Sequence, residues 1–501
     1  MKAPATSGTP GRRAAWLIAL LALVLLVRLP YLNAPPHGGY DSWRQSDTEA
    51  MARNLAEHRF HPLYPQLNYE GPPPNYAQLE LQLTTGLIAA LYRLFGCEYA
   101  FARIVPILFF MGSVWFVYRI GRMYFGDAAA YVALLLYGLL PLNVLYSRAI
   151  MPESAALFFY TGAFYMYSVW IAGGKRAVLY GSALFTALAV CEKVPTVFIG
   201  IAFIAMAAVS FGRRLFFRPE LWAFAAIALL PPFVYYRWLG EVAEAAFVSG
   251  IAAKHILPDM ARAFWTKEAA AFFVRELPKA FTWSGLVLSA IGFASLRRRA
   301  HYAVGVWAAA MLLELATIVA VIRFNYYLIF LGPPLALLAA YPLGELLRRT
   351  AQSRPVRGAA AGERRRGRPF AAPAVLAAAA LVLVAAESFA AVAPVIGKRD
   401  AELLRQADIV RRLTGPDDLI VVGTDDPSLL NASRRFGWRV TNSVPGDPLA
   451  ELRYFVREGA AYFVPLKGYI DGDPDGRLKR YLDAHYPKLG DDPAYAIYKL
   501  R

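Results

Sequence analysis

Directly after the first apolar run comes the densest polar cluster of the chain: Tyr40-Asp41-Ser42-Trp43-Arg44-Gln45-Ser46-Asp47-Thr48-Glu49. In a helix starting here, Asp41, Arg44 and Asp47 fall about one turn apart, so one face presents acid, base and acid. Such a face can take a proton from a hydroxyl and hold an anion, and ionisable groups at the mouth of a membrane bundle are costly unless used or paired. The cluster also has a purely structural reading. Ser42-Trp43-Arg44-Gln45 has the S-x-x-Q form of a capping box, and Asp41 suits the positive end of a helix.

Four further clusters carry the same kind of chemistry. Asn68-Tyr69-Glu70-Gly71-Pro72-Pro73-Pro74-Asn75-Tyr76 is a rigid polyproline turn with one acid. Tyr146-Ser147-Arg148-Ala149-Ile150-Met151-Pro152-Glu153 pairs a cation with an acid at a helix start, where proline followed by glutamate is also ordinary capping. Glu192-Lys193-Val194-Pro195 separates two apolar runs by a tight turn, and its lysine either snorkels or holds a phosphate. Arg323-Phe324-Asn325-Tyr326-Tyr327 reads as an aromatic belt with one snorkelling arginine, or as a cation and rings closing a cavity.

The elements that must position these clusters are membrane helices. Of 501 residues, 57% are hydrophobic and 18% charged, against about 45–50% and 25% in a soluble domain. Apolar runs long enough to cross the hydrocarbon cover residues 14–32, 101–118, 128–146, 154–172, 177–191, 194–210, 221–236, 281–296, 302–321, 326–343 and 373–392, eleven in all. Residues 81–96 are interrupted by Gln82 and Arg93 and read as an amphipathic juxtamembrane helix. On that reading 21 lysines and arginines lie in cytoplasmic segments, against Arg148, Lys193 and Arg323 in the short outer connections. Counting residues 81–96 as a span would move every later basic loop outside. All five clusters therefore share the outer side.

The resulting architecture is an all-α polytopic bundle with a small C-terminal α/β domain. Residues 1–13 form a cytoplasmic N-terminus and 14–393 the membrane domain. Within the latter, 33–100 and 237–280 are large outer loops and 344–372 is a basic cytoplasmic loop. Residues 394–501 form the outer α/β domain, with strands expected at 419–422, 438–440, 462–465 and 495–498 and helices near 400–413, 449–457 and 475–486. The net charge of +17 is then a topology signal and not a nucleic-acid surface. Cys97 and Cys191 exclude a disulfide framework or zinc ribbon. Asp471-Gly472-Asp473-Pro474-Asp475-Gly476 opens like a calcium loop, but Leu482 stands where the twelfth-position glutamate belongs, so it reads as a turn.

Five motifs in this order resemble the multi-spanning GT-C glycosyltransferases: acid-x-x-Arg after the first helix, Tyr-Glu-x-Pro-Pro, Ser-Arg-x4-acid, Glu-Lys-x-Pro, and Tyr-Tyr-Leu-x4-Pro-Pro. The nearest branch is the bacterial relatives of protein O-mannosyltransferases and of the aminoarabinose transferases that modify lipid A. The resemblance covers about residues 14–345. It implies inverting transfer of a sugar from a polyprenyl-phosphate carrier to an envelope acceptor (lipid, polysaccharide or protein hydroxyl) at the outer face of the bacterial cytoplasmic membrane. It further implies Asp41 as general base with Arg44 and Glu153 as catalytic partners, and Glu70, Arg148, Lys193, Arg323 and Tyr326 as contacts to donor phosphate and sugar. No cofactor or metal is called for and no nucleic acid is a partner. Gly71 and Ser42 depart from the aminoarabinose branch, where Lys and a second acid are common, so the sugar stays open. Two other readings stand beside this one: a transporter or flippase of lipid-linked glycans, which would need a polar cavity among the spans, and an O-antigen-ligase-like enzyme with a diphosphate donor.

Overall fold

The computed structural model describes residues 10–36, 42–243, 247–296, 301–352, 372–440 and 447–501. Helix α1 (Pro10–Leu26) is apolar, whereas α2 (Ser42–Glu57) is polar yet buried over most of its length. Next come α3 (Leu83–Phe95), α4 (Tyr99–Phe125), α5 (Asp127–Leu139), α6 (Pro141–Tyr146), α7 (Glu153–Ile171), α8 (Arg176–Glu192), α9 (Ile199–Phe211) and α10 (Pro219–Val242). Two short helices, α11 (Phe247–Ile251) and α12 (Leu257–Asp259), precede α13 (Lys267–Phe281), α14 (Trp283–Ala294), α15 (Tyr302–Glu314), α16 (Ala320–Ile322), α17 (Gly332–Gln352) and α18 (Ala372–Ile396).

Among the described residues, five helical stretches are long and apolar enough to cross a membrane: Tyr99–Phe125, Val194–Phe217, Tyr302–Ile322, Asn325–Thr350 and Ala372–Leu413. The bent pair α13 and α14 makes a sixth. The chain is a multi-pass membrane protein. Several of the eleven expected runs are broken within their length. Pro141, which cannot donate to the helix ladder, ends run 128–146 as one helix at Leu140. Thr282, at φ 61°, turns the chain by 93° between α13 and α14 while its hydroxyl accepts from the Gly285 amide. Helix α3 has 13 residues, about 20 Å of rise against roughly 30 Å of hydrocarbon.

Close helix crossings rest on small residues. A Cβ at Gly292 of α14 would lie 1.9 Å from the Leu338 carbonyl of α17, and one at Gly344 of α17 would lie 2.5 Å from the Ala129 Cβ of α5. Around α7 the core is aromatic, with Trp307 stacked on Phe164 at 4.1 Å.

The tail holds α19 (Ala401–Leu413), α20 (Ser428–Ser433), α21 (Pro448–Arg457), α22 (Arg477–His485) and a five-stranded sheet. Its strands are β1 (Ile420–Val422), β2 (Gly437–Arg439), β3 (Tyr462–Val464), β4 (Lys488–Leu489) and β5 (Ile497–Lys499), in the order β2-β1-β3-β5-β4. β1 runs parallel to β2 and β3, while β5 is antiparallel to β3 and β4. Both sheet faces are covered, which suits continuous apolar strands such as Ile420-Val421-Val422. On one face Val421, Phe463 and Tyr498 meet Leu452, Phe455 and Leu482 of α21 and α22. On the other, Ile420, Val422 and Val464 pack with Leu429 and Leu430 of α20 and also with Met51, Leu67 and Tyr69 from the first loop. The tail thus shares a core with the segment that carries the first two motifs. The expected strand 495–498 is a 3-10 turn (Pro493–Tyr495) followed by β5. The 471–476 segment is a turn in which Asp473 accepts from the amides of Leu478 and Lys479 at the start of α22.

Candidate functional site

Lys193 is the centre of the site. Helix α8 stops at Glu192, Lys193 takes extended backbone (φ −157°, ψ 106°), and Pro195 starts a 3-10 turn. The side chain is 2% exposed, with its Nζ 2.6 Å from Glu80 Oε1 and 2.9 Å from Glu153 Oε1. The rings of Tyr326 and Tyr327 lie 5.3 and 5.1 Å from the ammonium, within cation–π range. Burial alone would strip its proton, but Glu153 and Glu80 outweigh it and hold the lysine well above its usual range.

Glu80 joins two cations. Its Oε2 receives Arg44 at 2.5 Å while Oε1 receives Lys193. Burial pushes the carboxyl up, yet Arg44 and Lys193 overcome that and hold it at about 2. Its backbone carbonyl is fixed by Tyr235 Oη at 3.1 Å and Gln82 Nε2 at 2.6 Å. Glu153, fully buried, is the first residue of α7, where the partial positive charge of the helix end favours an anion. The result is a ladder of Arg44, Glu80, Lys193 and Glu153, drawn from α2, the loop before α3, the turn after α8 and the start of α7. Two cations converging on one oxyanion is the geometry that binds a phosphate or stabilises it as it leaves. Beside the ladder Glu192 is buried as well, with its Oε2 accepting from the Thr84 hydroxyl at 3.3 Å.

Not all expected site residues meet there. Arg148 is buried at the same end of the bundle, its carbonyl accepting from Arg103 at 2.9 Å. Arg103 also binds the carbonyls of Ala34 and Pro35 and the Gln45 side chain, fastening the chain after α1 to α4. Tyr326 joins the ladder through Lys193 and stacks on Phe324 at 5.5 Å. Arg323 is exposed in left-handed backbone (φ 50°), with its guanidinium on the Ala320 carbonyl at 3.3 Å. Glu70 turns toward the tail, where its Oε1 lies 2.7 Å from Arg439. Asp41 lies outside the described residues.

The first motif divides its partners. Arg44 reaches Glu80, whereas Asp47 accepts from Asn431 of α20 at 2.8 Å and from Tyr69 Oη at 3.0 Å. Burial raises Asp47 to about 6 against the pull of Asn431, Arg44 and Tyr69. The described part of the expected acid–base–acid face is therefore a junction and not a single unit. Gln45 does not serve as a cap alone: its Oε1 accepts from Arg103 at 3.3 Å and from the Ile150 amide at 3.2 Å. Sequence reasoning missed Glu80, which lies just ahead of the juxtamembrane helix. The available signal was a carboxylate placed between the polyproline turn and an amphipathic helix. Among the described residues no group of three or more His, Cys, Asp or Glu could hold a metal.

Residues 84–238, which run from α3 to α10 and include Glu153 and Lys193, match the family model of dolichyl-phosphate-mannose-protein mannosyltransferases. No curated protein sequence matches the chain. Among solved structures, the ArnT of Cupriavidus metallidurans bound to undecaprenyl phosphate superposes with a TM-score of 0.65 at 14% identity, over 97% of this chain and 98% of that one. The chain has the GT-C glycosyltransferase fold. The archaeal oligosaccharyltransferase AglB of Archaeoglobus fulgidus, in complex with an inhibitory peptide and a dolichol-phosphate, is also similar, at a TM-score of 0.60 and 14% identity over 98% of this chain and 74% of that one. The segment that matches the family model supplies one half of the ladder. The other half, Arg44 and Glu80, comes from the polar loop that precedes it.

Proposed function

We propose that the protein is a membrane glycosyltransferase that moves a sugar from a polyprenyl-phosphate carrier to an envelope acceptor at the outer face of the bacterial cytoplasmic membrane. The observation that carries this reading is Glu80 held between Arg44 and Lys193 at 2.5 and 2.6 Å, a half-buried and a buried cation aimed at one oxyanion position. The match to the mannosyltransferase model over residues 84–238 and the likeness to a structure with undecaprenyl phosphate support the donor class. In this reading eleven spans carry the chain, the N-terminus is cytoplasmic and residues 394–501 are periplasmic.

The chemistry is a single displacement. Asp41 takes the proton of the acceptor hydroxyl, and the oxygen attacks the anomeric carbon from the face opposite the phosphate. The bond from that carbon to the phosphate oxygen breaks, and polyprenyl monophosphate leaves with inversion. Arg44 and Lys193 take the charge that develops on the leaving phosphate. Glu153 and Glu80 keep Lys193 protonated, and Tyr326 forms an aromatic wall. Glu70, Arg148 and Arg323 complete the donor side.

The test is transfer by purified protein using labelled polyprenyl-phosphate sugar and an envelope extract. Asp41→Asn should insert normally and lose about 10²–10⁴ in rate, the usual share of a general base. Full activity in that variant would remove Asp41 as the base.

A further inference from the structure

A second polar feature, outside the ladder, lies along α19. Its inner face (Gln406, Ala407, Val410) packs into the tail. Its outer face lines an open groove of about 700 Å³ with Arg399, Arg405, Asp408, Arg411 and Arg412. A second compartment of about 310 Å³ shares Leu404, Asp408 and Arg411 with the first, so the two are continuous. Arg53 and Arg434 line this inner compartment, with Glu49 as its acid besides Asp408. Together the walls hold six arginines and two acids.

Internal pairing uses only part of that charge. Arg53 pairs with Glu49, Arg411 with Asp408, and Arg405 with Asp492 outside the groove. Arg399, Arg412 and Arg434 are exposed and, among the described residues, have no ion pair. Arginine presents a planar fork of donors that matches the oxygens of a phosphate or a carboxylate, so these side chains suit an anion and not a neutral ligand.

The position selects phosphate, the anion that lipid headgroups carry. α18 ends at Ile396 and α19 begins at Ala401, so the groove starts within a few residues of a membrane helix. Gly397 in that link lies against the Tyr31 ring, just past α1, where an added Cβ would be 3.0 Å away. The inner compartment touches Pro35 and Tyr99, which mark the exit of α1 and the entry of α4. This is headgroup level. At its inner end the groove reaches Glu49 and Arg53 of α2 and also Asn431, which donates to Asp47.

We propose that this groove binds the phosphate headgroup of a second amphiphile, distinct from the donor. Given the transferase reading above, on which this step rests, the groove is the acceptor side and the acceptor is an anionic, lipid-like molecule.

Native mass spectrometry of the full-length protein in detergent tests the binding, with phosphatidic acid and phosphatidylcholine of equal chain length as probes. Retention of phosphatidic acid is expected to exceed that of phosphatidylcholine about tenfold, to be lost in the double variant R399Q/R412Q, and to persist in R457Q/R480Q, which removes the same charge elsewhere on the tail. No preference in the unaltered protein, or equal loss in both variants, overturns the site. Displacement by millimolar inorganic phosphate, regardless of acyl chain, assigns it to free phosphate and overturns the amphiphile. Undecaprenyl phosphate, scored by its loss in Lys193→Ala, tests the donor reading separately. If that probe binds and phosphatidic acid shows no preference, only the groove fails; in the converse case, the donor reading fails. With labelled donor, label is expected in the anionic fraction of an envelope lipid extract. Label confined to neutral lipid or protein overturns the acceptor assignment.

Discussion

Lys193 and Arg439 each sit between two carboxylates, and their surroundings differ sharply. Lys193 lies between Glu80 and Glu153, whose side chains are 10% and 0% exposed. Arg439 lies between Glu70 and Asp425, whose side chains are 46% and 54% exposed. Around Lys193 no water competes, so each charge depends on its partners, and removing one leaves an uncompensated ion in low dielectric. Around Arg439 the acids keep their solvent, so the guanidinium is held mainly by the rings of Tyr69 at 4.1 Å and Trp43 at 4.9 Å and by the Asp425 backbone carbonyl, to which it donates at 2.6 Å. The first arrangement suits a site that must present fixed charge to a substrate. The second suits a latch between two parts of the chain.

Substitutions should separate the two by size of effect. Lys193→Ala should cost about 3–5 kcal/mol in stability, read from unfolding in detergent, because Glu153 is left buried without its cation. A cost below about 1 kcal/mol would mean that water reaches the ladder and would erase the contrast. Glu80→Gln should cost about 1.5–3 kcal/mol, the worth of a hydrogen bond to a charged group. Arg439→Gln should cost about 1–2 kcal/mol, from the lost ring contacts and the lost hydrogen bond to the Asp425 carbonyl, and should speed hydrogen exchange in α20 and the 66–71 segment. If Arg439→Lys restores the exchange pattern, charge and not stacking holds the latch.

Acid should act on the two regions with opposite sign. Asp47, at the tail junction, is raised by burial to about 6, so its contribution is complete below about 4 and is lost as pH rises through 6. Glu80 is lowered to about 2 by Arg44 and Lys193 despite burial, so its contribution is present above about 4.5 and is lost only as pH falls through 2. At pH 5 the tail junction should therefore be tighter than at pH 7 while the ladder is unchanged, and Asp47→Asn should abolish the difference in melting temperature. The smallest effect is expected for Glu70→Gln, about 0–1 kcal/mol, since a half-solvated acid contributes little to its pair.

Hydropathy and loop charge gave the membrane class, the stopping of residues 81–96 short of a span, and the alternation in the tail, because burial in lipid or in a sheet leaves a periodic mark on the chain. The breaks at Leu140 and Thr282 left weaker marks: a proline inside an apolar run tells little about where neighbours will pack. Lys193, Glu153, Arg44 and Tyr326 were legible as members of polar or aromatic clusters next to apolar runs. Glu80 was not, since its role comes from two cations that lie 36 and 113 residues away. Glu70 was singled out for its motif, but its partner Arg439 is supplied by a domain whose docking has no local signature.

That docking also sets an order in time. Gly437 donates to the Asn68 carbonyl and its own carbonyl accepts from the Gly71 amide, so the edge of the tail sheet continues into the polyproline loop. Glu70 and Arg439 are 369 residues apart, a stretch that takes about 20–70 s to synthesise at 5–20 residues per second. For that interval α2 and the loop exist without the surface that buries them. A ribosome that stalls before β2 leaves a chain with its membrane helices in place and its first motif unlatched, so the tail acts as a completion check on a segment made much earlier.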